Sequence, residues 1–217
     1  MVFKKPFSLS NKGSIIRRFW KIDKEVIMDL REKKTKRNIR NAFIKLRAKK
    51  PLERISIKEL AELAEISKAT FYLHYKDIYD LSENLQKEVI DNVLNCISRP
   101  NLFLTDEIQF TKELFQAFHS HDSLIEILFS GSQSTVLPIH IENALKDYIF
   151  KQIPEYKDNA KFNIMLSYRI QGGFHAYREN YKRFSLDDST ETITYINKDA
   201  TMLDWTYKGW TVFTAHP

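Results

Sequence analysis

The stretch SIKELAELAEISKATFYLHYKD, residues 56–77, decides the fold of this chain. Its first half carries apolar or small residues at helical spacing, including Ile57, Leu60 and Ala64. A short turn follows, and a second helical segment begins at Ser67. Two short helices joined by a tight turn, with small polar and basic groups opening the second, predict a helix-turn-helix. In that motif the second helix lies in the DNA major groove.

Both helices of this segment have predicted start signals. Ser56 with Glu59 three residues on is the pattern of a capping box, and Ser67 is a second candidate N-cap. Ala61 is small, as the close crossing of two helices requires. The turn usually contains glycine, whereas Glu65 takes that position here. An ordinary amphipathic helix pair is the alternative interpretation.

The predicted DNA-contacting surface lies mainly on the second helix. Its members are Ser56 at the start of the first helix and Ser67, Lys68, Ala69, Thr70, Tyr72, Leu73, His74 and Lys76. We expect Lys68 and Thr70 to reach bases, Thr70 through its hydroxyl or through its methyl against thymine. Phosphate contacts are expected of Tyr72, His74 and Lys76. Phe71 should be buried, because the segment needs an apolar anchor.

The segment resembles the DNA-binding domain of the tetracycline-repressor (TetR) family of bacterial transcription regulators. In that family, a helix comparable to residues 35–49 precedes a T-v-x-x-I-A-x-x-A-G-V-S-x-x-T-x-Y-x-H/Y-F-x-x-K pattern. The residues that follow the pattern are Ser56, Ile57, Leu60, Ala61, Ala64, Ile66, Ser67, Thr70, Phe71, Tyr72, His74 and Tyr75. The resemblance is specific over residues 35–85, roughly a quarter of the chain, and only architectural beyond them.

Two positions depart from the family's pattern. Glu65 stands where the family usually has glycine, which would alter the angle of the turn. Asp77 stands near the lysine that often opens the next helix, which would remove one phosphate contact. The resemblance implies an all-α homodimer that binds a palindromic operator in double-stranded DNA. It also implies a repressor or other regulator of transcription, modulated by a small-molecule or protein effector.

Charge is distributed unevenly along the 217 residues. Residues 1–77 hold 21 Lys and Arg against 9 Asp and Glu, a balance of +12. Residues 78–217 hold 13 against 19, a balance of −6. A basic block on an acidic body is the electrostatic footprint of a nucleic-acid binder. The alternatives are a solvated basic face and a basic helix on a membrane surface, since Arg17 and Arg18 lie among large apolar groups.

The composition indicates a folded cytoplasmic protein. Hydrophobic residues make up 43%, and no apolar run approaches the roughly 20 residues that span a bilayer. We also expect no signal peptide. Cys96 is the only cysteine, which excludes an intrachain disulfide and a cysteine metal cluster. Its neighbours Val93, Leu94 and Ile97 predict a buried thiol.

Few glycines and prolines, with long periodic segments, predict an all-α chain. The expected domains are a basic extension over residues 1–34, a DNA-binding domain over 35–80, a helical ligand-binding and dimerisation domain over 81–200, and an aromatic tail over 201–217. The expected helices cover 14–31, 35–49, 78–97, 105 to about 119, 121 to near 131, 138–153, 158–180 and 185 to about 197.

Gly172 and Gly173 lie inside the longest C-terminal helix and require an explanation, because glycine there costs on the order of 1 kcal/mol against alanine. Close approach of another helix would explain them. In proteins that resemble this family, the last two helices of each subunit pack across a two-fold axis. The expected dimer contacts are therefore Leu166, Ile170, Gly172, Gly173 and Tyr177. A kink within one subunit is the alternative.

The resemblance also implies an effector pocket between the C-terminal helices. Its candidate lining residues are Phe115, Phe118, Leu128, Phe129, Tyr148, Tyr168 and Phe174. Aromatic stripes at helical spacing are more often core than pocket. Some members that resemble this family use the same domain for a protein partner, and the sequence leaves both possibilities open.

An enzyme is not expected from these residues, and neither a metal nor a cofactor is predicted. The 6 histidines are scattered, and the chain has no HExxH, glycine-rich phosphate loop, nucleophile elbow or CxxC. The alternative to a DNA-binding regulator is a helical ligand- or protein-binding adaptor that keeps the fold without a specific operator.

The two ends of the chain fit the family least. Trp20 lies in the extension, and Trp205 and Trp210 lie in the tail with Tyr207 and Phe213. We expect the tail to dock on the regulatory domain, because burying each large aromatic stabilises by roughly 1.5–3 kcal/mol. The extension would supply a basic arm or an additional helix beside the DNA. Disorder at both ends is the alternative.

Overall fold

The computed structural model describes residues 12–99 and 101–200, with side chains for residues 28–99 and 101–196. Every regular element in this part of the chain is helical, which confirms the predicted all-α class. The α-helices are α1 Lys12–Arg47, α2 Ile57–Leu63, α3 Lys68–Tyr72, α4 Ile78–Asn95, α5 Leu102–Thr105, α6 Glu107–Leu128, α7 Leu137–Phe150, α8 Ala160–Asn180 and α9 Leu186–Ala200. Single 3-10 turns cover Leu52–Arg54, Gly131–Gln133 and Pro154–Tyr156.

The chain divides into two compact units, residues 1–80 and 81–217. The first unit holds α1, α2, α3 and the start of α4, and the second holds the rest of α4 and α5 to α9. Among the residues described, no helix has both the length and the apolar character needed to cross a bilayer. The predicted docking of the aromatic tail concerns residues outside the described range, as does the side chain of Trp20.

In the first unit, α1 is one continuous helix of 36 residues. The sequence predicted two helices, over 14–31 and 35–49, but the helix does not break between them. The Thr35 hydroxyl donates to the Arg31 carbonyl at 2.9 Å, a bond within the helix that crosses the expected boundary. Among the α1 residues with described side chains, burial is found in the later part, at Ile39, Ala42 and Phe43. Residues 28–34 are all exposed.

In the second unit, α6 runs without interruption where two helices were expected. The predicted break at His119–His121 is wrong, because polar side chains there form hydrogen bonds with backbone carbonyls of the same helix. The Ser120 hydroxyl donates to the Gln116 carbonyl at 2.8 Å, and His121 Nδ1 contacts the Ala117 carbonyl at the same distance. The cap also differs from the prediction. Asp106, not Thr105, accepts the Gln109 amide at 3.0 Å.

The remaining helices begin close to their predicted positions. Pro138 lies in the first turn of α7. Asn159 accepts the Phe162 amide at 3.0 Å and caps α8, and Ser185 accepts the Asp188 amide at 3.0 Å and caps α9. The helix α9 forms despite its β-branched residues. The hydroxyls of Thr190 and Thr194 donate to carbonyls four residues earlier, at 2.7 Å in both cases.

Cys96 is exposed, so the prediction of a buried thiol is wrong. The helix α4 ends at Asn95, and the buried face continues through Val93 and Ile97. Cys96 lies between them on the outer side, where its Sγ donates to the Asn92 carbonyl at 3.3 Å. Apolar neighbours in sequence therefore do not place this thiol in the core, because the helix turns it away from them.

Candidate functional site

The turn between α2 and α3 ends the first helix with two backbone hydrogen bonds. The Ile66 amide donates to the Ala61 carbonyl at 3.0 Å, and the Glu65 amide donates to the Glu62 carbonyl at 3.2 Å. This pair of bonds is the Schellman motif, which requires a left-handed residue after the helix. Glu65 supplies it with φ 57°, and it is the only non-glycine residue with positive φ in the described part. Glu65 thus occupies, with a strained backbone, the position at which this motif favours glycine.

Serine side chains start both helices around this turn. Ser56 Oγ accepts the Glu59 amide at 3.2 Å, and Ser67 Oγ accepts the Thr70 amide at 3.0 Å, which confirms both predicted N-caps. The carboxylate of Glu59 pairs with the Lys50 ammonium instead of closing the capping box. The hydroxyls of Ser67 and Thr70 also share a hydrogen bond at 2.8 Å. The Thr70 hydroxyl is therefore engaged in the cap, which leaves its methyl group for an outside contact.

Phe71 anchors α3, as predicted. The helix spans only 5 residues, too few to be stable alone, so packing must hold it. The Phe71 side chain is fully buried. Its ring lies 5.6 Å from the ring of Tyr72, edge to face, and 5.8 Å from that of Tyr75. This anchor turns the opposite side of α3 to solvent.

The outer side of α3 contains most of the predicted surface. Tyr72 is 57% exposed and Leu73 is 81% exposed. Lys68 and Ala69 precede them by four residues and are also exposed, so all four share one helix face. Lys68 forms no ion pair with any described residue. The short helix thus presents an aromatic, an apolar and a cationic group together.

The other predicted residues flank this face rather than join it. Ser56 lies at the start of α2, and Ser67 and Thr70 form the cap of α3. His74 is half-buried and Lys76 is exposed, and both follow the end of α3. They belong to the short segment that leads to α4.

Asp77, the second departure from the family's pattern, caps the next helix. Its Oδ1 accepts the amides of Tyr79 and Asp80, both at 2.8 Å. Asp80 Oδ2 in turn accepts the Lys76 amide at 2.9 Å. This closed set of bonds holds the backbone of Lys76 at the start of α4, although the Asp77 carboxylate itself would repel a phosphate.

Three cationic residues of α1 were not included in the predicted DNA-contacting surface. Arg31, Lys34 and Arg37 are exposed and have no ion-pair partner among the described residues. Between them, Lys33 pairs with Asp29 and Lys36 pairs with Glu32, each at 2.8 Å. Their spacing of three residues, which keeps them on one side of a helix, was the signal that could have identified them.

This part of α1 lies within electrostatic reach of His74. The Lys36 ammonium holds the pKa of the Glu32 carboxyl below its ordinary value, and His74 adds a smaller effect of the same sign. Arg31, Lys34 and Arg37 of α1, with His74 and Lys76 after α3, therefore belong to one basic region of the first unit.

The second unit contains a cavity of about 60 Å³ that is partly open to solvent. Its walls are mostly aromatic and aliphatic, and they come from α5, α6, α7, α8 and α9. The lining residues are Phe103, Glu107, Phe110, Thr111, Leu114, Phe115, Phe118, Ile141, Leu145, Ile149, Leu166, Arg169, Ile170, Gly173, Phe174 and Ile193. Three predicted pocket residues are among them, Phe115, Phe118 and Phe174.

The other four predicted pocket residues lie outside this cavity. Leu128 and Phe129 are buried elsewhere in the second unit. The Tyr148 hydroxyl donates to the Arg99 carbonyl at 3.4 Å. Tyr168 is 72% exposed, because it faces outward from α8. Aromatic type alone did not separate cavity walls from core and surface.

One ion pair lies in the cavity wall, between Arg169 of α8 and Glu107 of α6. The Arg169 side chain is 8% exposed, whereas that of Glu107 is 30% exposed. Burial lowers the pKa of the Arg169 guanidinium to about 10. The sequence-based prediction missed both residues, although an arginine between Leu166 and Phe174 on the apolar side of a helix was a visible signal.

The predicted dimer residues are divided between the interior and the surface. Leu166 and Tyr177 are buried within the protomer, and Ile170 and Gly173 line the cavity. Gly172 alone is exposed, and an added Cβ there would meet nothing within 4 Å. It continues an exposed stripe with Ile164 and Tyr168, which are 70% and 72% exposed. We call Ile164, Tyr168 and Gly172 the α8 stripe.

No protein-family model matches the chain, and a comparison with curated proteins found no match. In the part of the chain that the structure describes, no group of three or more His, Cys, Asp or Glu side chains could hold a metal ion. The functional interpretation therefore depends on the geometry of the two units and on the sequence pattern around α2 and α3.

Proposed function

We propose that this protein is a TetR-like transcription regulator that binds a palindromic DNA operator as a homodimer. In this proposal α2 and α3 form a helix-turn-helix, and the outer face of α3 enters the major groove. The observation that carries the proposal is this face. Phe71 anchors a five-residue helix from behind, while Lys68, Tyr72 and Leu73 point to solvent. Large exposed side chains on so short a helix are difficult to explain without a partner.

The expected contacts with DNA follow from the hydrogen-bond donors and methyl groups that are not already engaged within the protein. Lys68 has no ion-pair partner among the described residues and can donate to guanine O6 and N7. Thr70 uses its hydroxyl in the cap, so its methyl would meet a thymine methyl. Tyr72 and Lys76 would hold phosphates, because phosphate contacts fix the register of a recognition helix.

Arg31, Lys34 and Arg37 would contact the DNA backbone, because they extend the basic region beyond α3 along the first helix. The basic arm predicted on residues 1–34 lies mostly outside the described side chains, which begin at residue 28. A protein that neutralises Z phosphates shows a slope of roughly −0.9Z in log affinity against log salt. Each of these side chains that meets the DNA backbone would therefore contribute about one unit of slope.

The homodimer is proposed on the α8 stripe. Ile164 and Tyr168 expose large apolar surfaces at a spacing of four residues, and Gly172 continues the stripe without a side chain. A helix with a small residue in an exposed apolar stripe permits close approach of a second helix. This places the contact on the surface of α8, one residue away from Gly173 of the cavity wall.

The first experiment selects an operator from a random duplex library with the purified full-length protein. We expect an enriched palindrome, since a two-fold dimer presents two equal reading helices. Thr70→Ala should change affinity by roughly 1–3 kcal/mol at one base position. Lys76→Ala should weaken all duplexes alike and reduce the salt slope by about one. Unchanged affinity in both folded variants would refute the placement of α3.

The role of these α1 cations is tested with two variants that remove the same charge. In Arg31→Gln/Lys34→Gln the lost cations have no ion-pair partner among the described residues, whereas in Lys33→Gln/Lys36→Gln they are paired with Asp29 and Glu32. The first variant should reduce the salt slope by about two, and the second should change it little. Equal changes would mean that net charge, and not these positions, attracts the DNA.

A helical ligand-binding adaptor is the second candidate, and the cavity with its buried Arg169 favours it. The library selection separates the two proposals. A protein that enriches no sequence and binds all duplexes only at low salt would be an adaptor rather than an operator-binding regulator, because non-specific binding is almost entirely electrostatic.

A further inference from the structure

The wall of the cavity in the second unit contains a buried cationic side chain, that of Arg169. Arg169 lies in the middle of α8, and its side chain is 8% exposed among aromatic and aliphatic neighbours. Its ion-pair partner within the described residues is Glu107. A guanidinium has five N–H donors, so a single carboxylate leaves it with capacity for further acceptors.

Glu107 is held much less firmly than Arg169. It is the first residue of α6, directly after the Asp106 cap, and its side chain is 30% exposed. A glutamate at such a position can turn to solvent and be hydrated there. If it does so alone, Arg169 remains as a buried charge without a partner, which is strongly unfavourable. The exchange therefore requires another anion to take the place of Glu107.

We propose that the cavity binds a small, predominantly apolar monocarboxylic acid whose carboxylate replaces that of Glu107 on Arg169. The fork of the guanidinium matches a carboxylate with two parallel hydrogen bonds. The hydroxyl of Thr111, which also lines the cavity, can donate to the same group. The ligand would serve as the effector of the proposed regulator, but its binding depends on the second unit alone.

The walls define the remainder of the ligand. Phe103, Phe110, Phe115, Phe118 and Phe174 contribute five aromatic rings to the lining. Aromatic rings favour stacked or edge-to-face contacts with another ring. The cavity of about 60 Å³ is partly open to solvent and is smaller than the roughly 150 Å³ of a cavity that holds benzene, so the ligand must be small and must take the space that the Glu107 side chain vacates. Benzoate is the smallest ligand that offers both an aromatic ring and a carboxylate, and it serves as the probe.

The test is isothermal titration calorimetry of the full-length protein with benzoate, without DNA. Benzamide has nearly the same shape and no charge, and it serves as the matched ligand. We expect benzoate to bind at least roughly tenfold more tightly, because hydrogen bonds to charged groups are the strong ones. Equal binding of the two ligands, or no binding of benzoate, would overturn the proposal.

Two variants should change the affinity in opposite directions. Glu107→Gln removes the competing carboxylate and should tighten benzoate binding roughly tenfold, while Arg169→Met should abolish it. Glu113→Gln is the control, because Glu113 lies on the same helix, bonds to Ser98 and Gln109, and does not line the cavity. Benzoate binding to a folded Arg169→Met variant would refute the exchange.

A double variant controls for the possibility that a single variant loses ligand binding because it misfolds. Glu107→Gln/Arg169→Met contains neither charge, so no buried charge is left without a partner, and it should fold without binding benzoate. In thermal unfolding, benzoate should raise the transition temperature of Glu107→Gln more than that of the natural protein, because only ligand binding to the folded state stabilises it. A larger rise in the natural protein would contradict the competition. DNA binding can fail independently of all these results, since no DNA is present.

Discussion

The two candidate sites, the outer face of α3 with its flanks in the first unit and the cavity in the second, hold their cations in opposite ways. The first unit leaves Lys68 and Lys76 exposed and without ion-pair partners among the described residues. The second unit encloses Arg169 among aromatic rings and pairs it with Glu107. An exposed cation contributes little to folding and remains available for a partner, whereas a buried one depends on the group that neutralises it. The difference is consistent with the two proposals, an anion-binding surface in the first unit and an anion-binding cavity in the second.

The same contrast applies to how the helices are held. In the first unit, α2 and α3 are defined by local caps and one aromatic anchor, Phe71. In the second unit, a half-buried polar network joins α7 to α8. Glu142 of α7 accepts hydrogen bonds from Ser167 at 2.6 Å and Gln171 at 2.7 Å, and pairs with Lys146 at 2.8 Å. Each arrangement can be broken separately.

The largest effect is expected from the anchor of the first unit. Phe71→Ala should lower the free energy of unfolding by about 3–5 kcal/mol, since it removes a fully buried ring and leaves a cavity. Leu73→Ala is the matched control, two residues away and 81% exposed, with an expected change within about 0.5 kcal/mol. Urea denaturation measures both. Similar losses in the two variants would mean that α3 is not anchored from one side.

The polar network of the second unit should show its effect as a dependence on pH. Hydrogen bonds from Gln171, Lys146 and Ser167 lower the pKa of Glu142 from 4.5 to about 2. Because the folded-state pKa is depressed, the stabilisation is present above pH 4.5 and is lost as the pH falls towards 2. Glu142→Gln should therefore cost about 1–3 kcal/mol at neutral pH and progressively less in acid.

Urea denaturation at several pH values between 7 and 3 measures this difference. Glu126→Gln is the control, because Glu126 and its partner Lys182 are 45% and 63% exposed, and such surface pairs contribute little. A Glu142→Gln deficit that stays constant down to pH 3 would show that the carboxylate's charge is not what stabilises the network.

Of the two adjacent glycines of α8, Gly172 lies on the surface and Gly173 lies in the cavity wall. Gly172→Leu adds a side chain to the α8 stripe and should weaken the proposed dimer about tenfold or more, because overpacking an interface costs about 1–3 kcal/mol. Gly173→Leu places the same side chain in the cavity wall, and should reduce benzoate binding instead. Analytical ultracentrifugation and calorimetry measure the two outcomes. If Gly173→Leu disrupted the dimer and Gly172→Leu did not, the interface would lie elsewhere.

The smallest expected effect is a gain in stability at the strained turn of the first unit. Glu65 adopts φ 57°, where a non-glycine residue costs about 1–2 kcal/mol. Glu65→Gly should therefore stabilise the protein by about 1 kcal/mol. Glu62→Gly, three residues earlier inside α2, should destabilise it by a similar amount. Thermal unfolding gives both signs, and a loss of stability in Glu65→Gly would mean that its side chain contributes more than the strain costs.

The sequence by itself determined the local features of this protein. The serine caps at Ser56 and Ser67 and the burial of Phe71 were predicted from spacing alone and are confirmed. These features depend on bonds between residues three or four positions apart, which any sequence displays directly. The turn at Glu65 was also located correctly, because the pattern of apolar residues ends there.

Only the tertiary structure decided which way each long helix faces and where it stops. Polar residues at His119–His121 suggested a break, yet α6 continues because their side chains bond to its own carbonyls. Cys96 and Gly172 face outward while Val93 and Gly173 face inward, a difference of one to three residues that composition does not reveal.

The meeting of Arg169 with Glu107 likewise required the fold, since 62 positions separate them in the chain and no local pattern links them. Local hydrogen bonds are encoded by neighbours in sequence. Burial, by contrast, is shared among helices that the chain brings together only when it packs.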